Sequence, residues 1–370
     1  MVQLPNLRIP GPTAVPPDVL EAVAHPMVDH RGRRFAELIQ RVSTQLKDFF
    51  QTKNDVLILS ASGTGGMEAA VVNTLSPGDK VLAVSIGAFG DRFASIAETY
   101  GAQVMRLSYE WGQAANPEDV ARALAEDRNI KAVLVTHNET STGVTNPLEE
   151  IARVVRDQAR LLIVDAVSSL GAIPVETDAW GLDVVVTGSQ KGWMVPPGLA
   201  FISLSERGWK ANESAKMPRF YFDLVRHREL LPKGQTPWTP TVSVFFGLEV
   251  ALERMAAEGQ ERIFARHARI GQMVRNGVKD LGLKPLVADE RFASNTVTSI
   301  KCPEGIEVAV LRRLLEDEYD LVLAGGQGKL SGKIFRIGHL GLVGEEDIRH
   351  VLESLREALP RLGYTLPAHR

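Results

Sequence analysis

Short runs of apolar, often β-branched residues alternate along the first part of the chain with longer stretches whose apolar residues recur at helical spacing. We interpret the short runs as buried strands, because each is too short for a stable helix. They cover residues 56–59, 80–84, 104–107, 132–135, 161–164, 184–186 and 198–202. Amphipathic helices are predicted at residues 35–50, 67–75 and 147–157. This alternation predicts an α/β fold with a mostly parallel, seven-stranded sheet.

The last of these strands is expected to run against the others. Only residues 188–197 separate it from the preceding strand, whereas a parallel return needs a crossover of a dozen or more residues. We therefore predict one antiparallel strand, with Lys191 in the connection that precedes it.

The rest of the chain predicts a second, smaller α/β unit. The 370 residues exceed what a single core usually holds, which indicates two lobes. Two helical stripes between residues 242 and 281 break near Gly259, which we take as the lobe boundary. Beyond it, strands are predicted at 296–300 and 333–337, and helices at 306–318 and 345–359. The predicted domains are an N-terminal arm (1–17), a large domain (18–258) and a small C-terminal domain (259–370).

Two segments are predicted to lack helical periodicity. Residues 1–17 contain five prolines and predict an extended arm. Residues 205–240 combine aromatic residues, prolines and charges with little periodicity, which is typical of an interface segment.

Composition and charge narrow the classes of function that this protein can have. The apolar fraction of 44% is ordinary for a globular enzyme, and a net charge of −3 gives no electrostatic reason to expect binding to nucleic acid or an anionic membrane. Cys302 is the single cysteine and cannot form an internal disulfide, and no metal site is predicted. The start of the chain does not resemble a signal peptide, and no apolar stretch approaches the roughly 20 residues of a membrane span. We therefore expect a soluble, cytoplasmic protein.

Two residues suited to catalysis follow two of the predicted strands. One ends in Asp165 and the next leads into Lys191. Ligands of open α/β sheets bind outside the carboxyl ends of the strands, so a carboxylate and an amine are expected at the same edge. This pairing suits pyridoxal 5'-phosphate, since an amine can form an imine with its aldehyde while a carboxylate keeps its pyridine nitrogen protonated. Taken alone, a capping aspartate and a solvated lysine would fit the same spacing.

A glycine-rich loop at residues 60–66 follows the first strand and leads into a helix. Such a loop directs backbone N–H groups and the positive end of the helix at an anion. It is not a Walker loop, because no Gly-Lys-Ser/Thr follows. By itself the loop fits a bound phosphate or a plain tight turn.

Five motifs together carry a family resemblance. SGTGGMEAA, HNETSTGV, VDAVSSLG, GSQKGWMVPPG and RIGHLG occur in this order over nearly the whole chain. The sequence resembles the class V aminotransferases of the fold type I pyridoxal-phosphate enzymes, in particular the alanine–glyoxylate and serine–pyruvate (serine–glyoxylate) branch. The resemblance implies that fold, pyridoxal 5'-phosphate as cofactor, and a large domain that binds it.

The resemblance also implies roles for individual residues. Lys191 and Asp165 are the expected catalytic pair, and Gly11 and Arg336 are expected to bind substrate, with Arg336 holding its carboxylate. The expected cofactor contacts are Ser62, Gly63, Thr64 and Gln190 at the phosphate, Phe89 and Val167 on the two ring faces, Thr140 at the phenolic oxygen, and Thr239 from a neighbouring subunit.

Some of these assignments leave alternatives open. Relatives often have tryptophan where this chain has Phe89, and a tyrosine is missing shortly before Thr239. Gly11 could serve turn geometry alone, and Arg336 could be an edge or salt-bridge residue. Trp193 and Met194 either narrow the mouth of the site or fill the core, and pocket walls such as Trp193 are expected to limit the size of the substrate side chain.

The activity implied is transamination of a small L-amino acid, alanine or serine, with glyoxylate or pyruvate, in a homodimer whose active sites lie at the subunit interface. Three alternatives share the framework. A cysteine desulfurase needs a cysteine in a mobile loop, which Cys302 does not resemble. A kynureninase-type lyase and a non-catalytic cofactor-binding subunit of a larger complex also remain open at this point.

Overall fold

A computed structural model describes residues 6–367. Residues 1–5 of the predicted arm therefore lie outside the described part of the chain. The helices are α1 Pro17–Val23, α2 Arg33–Phe50, α3 Gly63–Thr74, α4 Ala88–Thr99, α5 Pro117–Glu126, α6 Leu148–Asp157, α7 Glu206–Ser214, α8 Leu224–Leu230, α9 Val242–Glu258, α10 Gln260–Asp280, α11 Val308–Tyr319 and α12 Glu345–Arg361. The strands are β1 Asn6–Arg8, β2 Val56–Leu59, β3 Lys80–Ser85, β4 Gln103–Ser108, β5 Ile130–Thr136, β6 Asn138–Glu139, β7 Val144–Thr145, β8 Leu161–Asp165, β9 Val184–Gly188, β10 Ala200–Leu204, β11 Lys284–Pro285, β12 Val297–Lys301, β13 Leu321–Gly325 and β14 Ile334–Gly338.

The larger sheet has seven strands in the order β2-β10-β9-β8-β5-β3-β4. Strand β10 pairs antiparallel with both β2 and β9, and the remaining pairs are parallel. The prediction of a mostly parallel sheet with one antiparallel strand is confirmed. Because β8 and β9 are parallel neighbours, their carboxyl ends lie at the same edge of the sheet.

Successive residues of the central strands face two separate cores. In β5, Val133 and Val135 belong to one buried cluster, whereas Ala132 and Leu134 belong to the other. Alternate side chains of a strand point to opposite faces, so both faces of this sheet are covered. The predicted site residues therefore follow strands that are buried on both faces.

A second sheet of five strands has the order β1-β13-β14-β12-β11 and packs on its own buried cluster with α10, α11 and α12. Strand β1 pairs in parallel with β13, so the N-terminal arm is part of the smaller sheet. Gly259, with φ of 84°, separates α9 from α10 at the predicted break. The division into domains at this residue stays a prediction.

Helices α1, α4, α7 and α8 lie where no helix was predicted. Of these, α7 and α8 fall inside the segment predicted to be irregular. The side chains of Ser205 and Asp223 cap them by accepting hydrogen bonds from Gly208 N and Val225 N. Helix α3 begins at Gly63, inside the glycine-rich loop, rather than at Met67. Within residues 6–367, no helix is both long enough and apolar enough to cross a lipid bilayer.

Candidate active site

The structure brings Asp165 and Lys191 together at the carboxyl edge of the large sheet. Asp165 is the last residue of β8, and Lys191 follows the end of β9 by three residues. Both side chains are buried. The Asp165 carboxylate accepts hydrogen bonds from Val167 N at 2.9 Å and from Thr136 Oγ1 at 3.2 Å. The carboxylate is thus held in place by its own strand end and by the neighbouring strand.

Burial changes the protonation of both groups. Desolvation raises the pKa of Asp165 to about 6, and the nearby Glu139 carboxylate adds to the rise. Desolvation lowers the pKa of Lys191 to about 8; the charge of Arg336 lowers it further, while Asp165 opposes the change. Neutral lysine is the form that can act as a nucleophile or a base, so the site favours reactive amine chemistry.

The N-terminal arm packs directly on the lysine. The Lys191 amine donates a hydrogen bond to Pro10 O. Thr13 donates from its N–H to Gln190 O and from its hydroxyl to Lys191 O, both at 3.1 Å. A Cβ atom at Gly11 would lie 2.6 Å from the lysine side chain, and φ of Gly11 is 113°. Close approach and turn geometry therefore both require glycine at position 11.

The predicted phosphate loop has free donors pointing out of the start of α3. Ser62 occupies the N-cap position, but its hydroxyl makes no capping hydrogen bond. The first N–H groups of a helix lack partners within the helix and attract anions. A Cβ atom at Gly188 would lie 3.1 Å from Gln190 Oε1 and 3.2 Å from Gly63 N, so the end of β9 also borders this loop.

The donors around this loop fit a phosphate group. Within residues 6–367, Gln190 Oε1 is buried and accepts no hydrogen bond. The NH2 group of the same side chain is the donor that a phosphate oxygen would accept from. The side chain of Val167 packs against Gly63, where a Cβ atom would lie 2.7 Å from it. Ser62, Gly63, Val167 and Gln190 therefore border one site, as the resemblance implies.

The carboxylate of Glu139 organises the opposite wall. It accepts hydrogen bonds from Phe89 N at 3.1 Å and Gly90 N at 3.0 Å, while Ser141 Oγ accepts from Ala88 N at 2.9 Å. These bonds satisfy the first N–H groups of α4, whose N-cap residue is a glycine without a side chain. They fix the start of α4, with Phe89, against the segment that carries Glu139 and Thr140.

Arg336 lies in β14 of the smaller sheet, and its side chain reaches the segment that carries Thr140. Its Nε donates to Gly325 O at 2.8 Å and its Nη1 donates to Thr140 O at 2.9 Å. Burial lowers its pKa to about 10, and Glu139 opposes that change. The Thr140 hydroxyl donates to Ser168 Oγ at 2.8 Å. Arg336 is therefore a buried cation facing the site rather than an edge residue.

Two predicted positions differ from this cluster. Thr239 is exposed in the loop before α9. Trp193 is fully buried, with ring centroids of Phe49 and Phe201 at 5.8 and 5.3 Å, and its Nε1 donates to Thr187 Oγ1. The expectation that Trp193 forms a pocket wall is wrong, because Trp193 fills the core beneath the site.

Sequence reasoning missed Thr13, Glu139 and Arg92. Thr13 and Glu139 act through backbone groups of distant residues, a relation that no local pattern reveals. Arg92 follows Phe89 by three residues in α4, so helical spacing alone could have placed both side chains on the same face.

Comparison with known proteins identifies the family. The model of the class V aminotransferases matches residues 9–334. The chain belongs to the class V aminotransferases. It is a pyridoxal-phosphate-dependent enzyme that transfers an amino group between an amino acid and a 2-oxo acid, and its fold is the fold type I aminotransferase fold.

Three relatives illustrate the similarity. The aminotransferase is 48% identical to a Synechococcus protein named soluble hydrogenase, small subunit, over 97% of this chain and 94% of the relative. It is 38% identical to the serine–glyoxylate aminotransferase of Methylorubrum extorquens, over 92% of this chain and 87% of that enzyme. The solved structure of an alanine–glyoxylate aminotransferase from Nostoc superposes with a TM-score of 0.93 at 31% identity, covering 97% of this chain and 96% of the other.

These findings favour transamination over the three alternatives, a desulfurase, a kynureninase-type lyase and a non-catalytic subunit.

Proposed function

We propose that the aminotransferase transfers the amino group of L-alanine or L-serine to glyoxylate or pyruvate, with Lys191 as the residue that binds the cofactor and moves the proton. The observation that carries this proposal is the convergence of Lys191, Asp165 and Arg336, all buried, at one end of the large sheet. Burying a charged side chain costs free energy unless the charge pairs with another charge or with a ligand.

Each residue has a distinct task in this proposal. Bound pyridoxal phosphate supplies an electron-accepting ring that stabilises negative charge at the α-carbon of the substrate. Arg336 binds the substrate carboxylate through its planar guanidinium. The Lys191 Nζ accepts the α-proton and later returns it, which its lowered pKa of about 8 favours near neutral pH. Asp165 pairs with the ring nitrogen.

The choice of small substrates rests on the relatives. The serine–glyoxylate and alanine–glyoxylate aminotransferases described above act on small donors by name. Alanine and serine differ by one hydroxyl group, and an apolar pocket does not strongly reject a side chain that merely adds a hydroxyl, so the two donors are proposed together.

We also propose a homodimer in which Thr239 touches the cofactor phosphate of the partner. The half-buried Trp238 precedes Thr239, and its ring stacks on two exposed aromatic residues, Phe220 at 4.8 Å and Tyr221 at 6.0 Å. An exposed aromatic cluster is typical of an interface. Sedimentation velocity at micromolar concentration should give a dimer, and a monomeric active enzyme would refute the proposal.

The function is tested by the visible spectrum of the purified enzyme. We expect a yellow chromophore that bleaches when L-alanine or L-serine is added and returns when glyoxylate or pyruvate follows. L-Aspartate and L-kynurenine serve as comparison donors. Lys191→Ala should keep the far-UV circular dichroism of the wild type and lose turnover. Near-wild-type turnover in this variant, or a chromophore that only L-aspartate bleaches, would overturn the assignment.

A further inference from the structure

Arg92 is a cation that connects two walls of the active site. It lies in α4, and its guanidinium carbon is 4.6 Å from the centroid of the Phe89 ring. Its Nη1 donates a hydrogen bond to Thr64 Oγ1 at 3.1 Å. The side chain thus touches both the residue predicted to cover the cofactor ring and a hydroxyl of the predicted phosphate loop.

Within residues 6–367, Thr64 is the hydrogen-bond acceptor of the Arg92 guanidinium, which leaves further N–H donors for a ligand. Many arginines of this protein pair with carboxylates, and the adjacent Asp91 interacts with Arg106. In the described part of the chain, no carboxylate forms an ion pair with Arg92. A guanidinium carries five N–H donors, and the Thr64 hydroxyl occupies one of them. An arginine without an anionic partner beside an anion-binding loop is suited to a ligand anion.

The positive charges around Lys191 also favour an anionic ligand beside Arg92. Arg336 and Arg92 are the two cations whose charge lowers the pKa of Lys191, so both lie within electrostatic reach of the amine. Arg336 is held by the carbonyl groups of Gly325 and Thr140 and faces the substrate side. The start of α3 contributes only about half of an elementary charge, whereas a phosphate group carries nearly two at neutral pH.

We propose that Arg92 is a positioning residue of the cofactor site, which supplies positive charge to the phosphate through the hydroxyl of Thr64. This inference rests on the proposed cofactor site. Because Thr64 Oγ1 accepts from Arg92, its own proton is free to be donated to a phosphate oxygen, and the cation strengthens that donor. The same guanidinium stacks on Phe89 and keeps that ring in position.

The test compares two forms of the cofactor that differ only in the phosphate. Pyridoxal 5'-phosphate and pyridoxal are titrated into apoenzyme, and binding is followed by quenching of tryptophan fluorescence. Arg92→Gln should weaken pyridoxal-phosphate binding at least tenfold and leave pyridoxal binding within twofold. Arg92→Lys, which keeps the charge, should recover most of the loss.

Two controls separate charge from ring contact. Arg122→Gln removes an exposed arginine from the neighbouring helix α5 and should change neither affinity. Phe89→Leu removes the ring and should weaken both ligands to a similar extent.

Equal losses for both ligands in Arg92→Gln would mean that Arg92 acts only through Phe89 and would overturn the proposal. No loss of affinity for either ligand would also overturn it. Failure of the wild-type apoenzyme to bind pyridoxal phosphate at all would instead refute the proposed function.

Discussion

The protonation of Lys191 offers the sharpest test of the site. With its pKa at about 8 rather than the ordinary 10.5, about a quarter of the amine is neutral at pH 7.5, against about 0.1% for an unperturbed lysine. The reactive fraction therefore gains roughly two hundredfold. Desolvation is the largest cause, and the positive charge of Arg336 is the next.

Removing the Arg336 charge should raise the pKa of Lys191. A nearby positive charge disfavours the protonated amine, so its loss favours protonation and moves the titration to higher pH. Arg336→Gln removes the charge, whereas Arg336→Lys keeps it and is the matched control. We expect the midpoint near pH 8 in the wild type and in Arg336→Lys, and a higher midpoint in Arg336→Gln.

The measurement uses apoenzyme, so cofactor chemistry does not enter. A small amine-reactive reagent is applied in short pulses between pH 6 and 10, and the peptide containing Lys191 is quantified by mass spectrometry. The exposed Lys301 monitors reagent quality. The midpoint of labelling, rather than its absolute rate, is compared, because burial slows access equally at all pH values. A wild-type midpoint near 10.5, or one that is identical in Arg336→Gln, would refute the electrostatic reasoning.

Three further predictions concern stability and packing. Gly87→Ala should lower the free energy of unfolding by about 1–3 kcal/mol in urea denaturation, because the new Cβ would lie 2.5 Å from the buried carboxyl carbon of Glu139. Gly344→Ala, at another helix start where the new Cβ would lie 3.8 Å from Asp347, should change it by less than about 1 kcal/mol. Equal effects would contradict the steric argument. Trp193→Phe should lower the melting temperature but leave the ratio of kcat/KM for L-serine and L-alanine unchanged, because Trp193 lies in the core and does not line the pocket. A changed ratio would show that Trp193 forms part of the pocket wall. Burial lowers the pKa of His267 to about 4, so below about pH 6.5 the unfolded state binds a proton that the folded state does not, and stability falls as pH drops toward 4. His267→Gln should therefore lose less stability than the wild type between pH 7 and 5 in thermal denaturation. An unchanged loss of stability would exclude this histidine as the cause.

Local sequence was sufficient for the main sheet and for its most unusual strand. The connection that contains Lys191 is too short for a crossover, and this length alone predicted the direction of β10. The apolar runs predicted strands β2, β3, β4 and β8 of this sheet to within one or two residues. Helices α7 and α8 were missed because capping side chains and packing, rather than a clear apolar stripe, stabilise them.

Residue identity determined which groups could do the chemistry, whereas the tertiary structure decided how they meet. The order of motifs along the sequence indicated Asp165, Lys191 and Arg336. Three features join residues that are far apart in the chain: the burial that lowers the pKa of Lys191, the contact of Gly11 with the Lys191 side chain, and the interior position of Trp193. Such contacts depend on how the two sheets and the arm pack, and periodicity along the sequence carries no information about that packing.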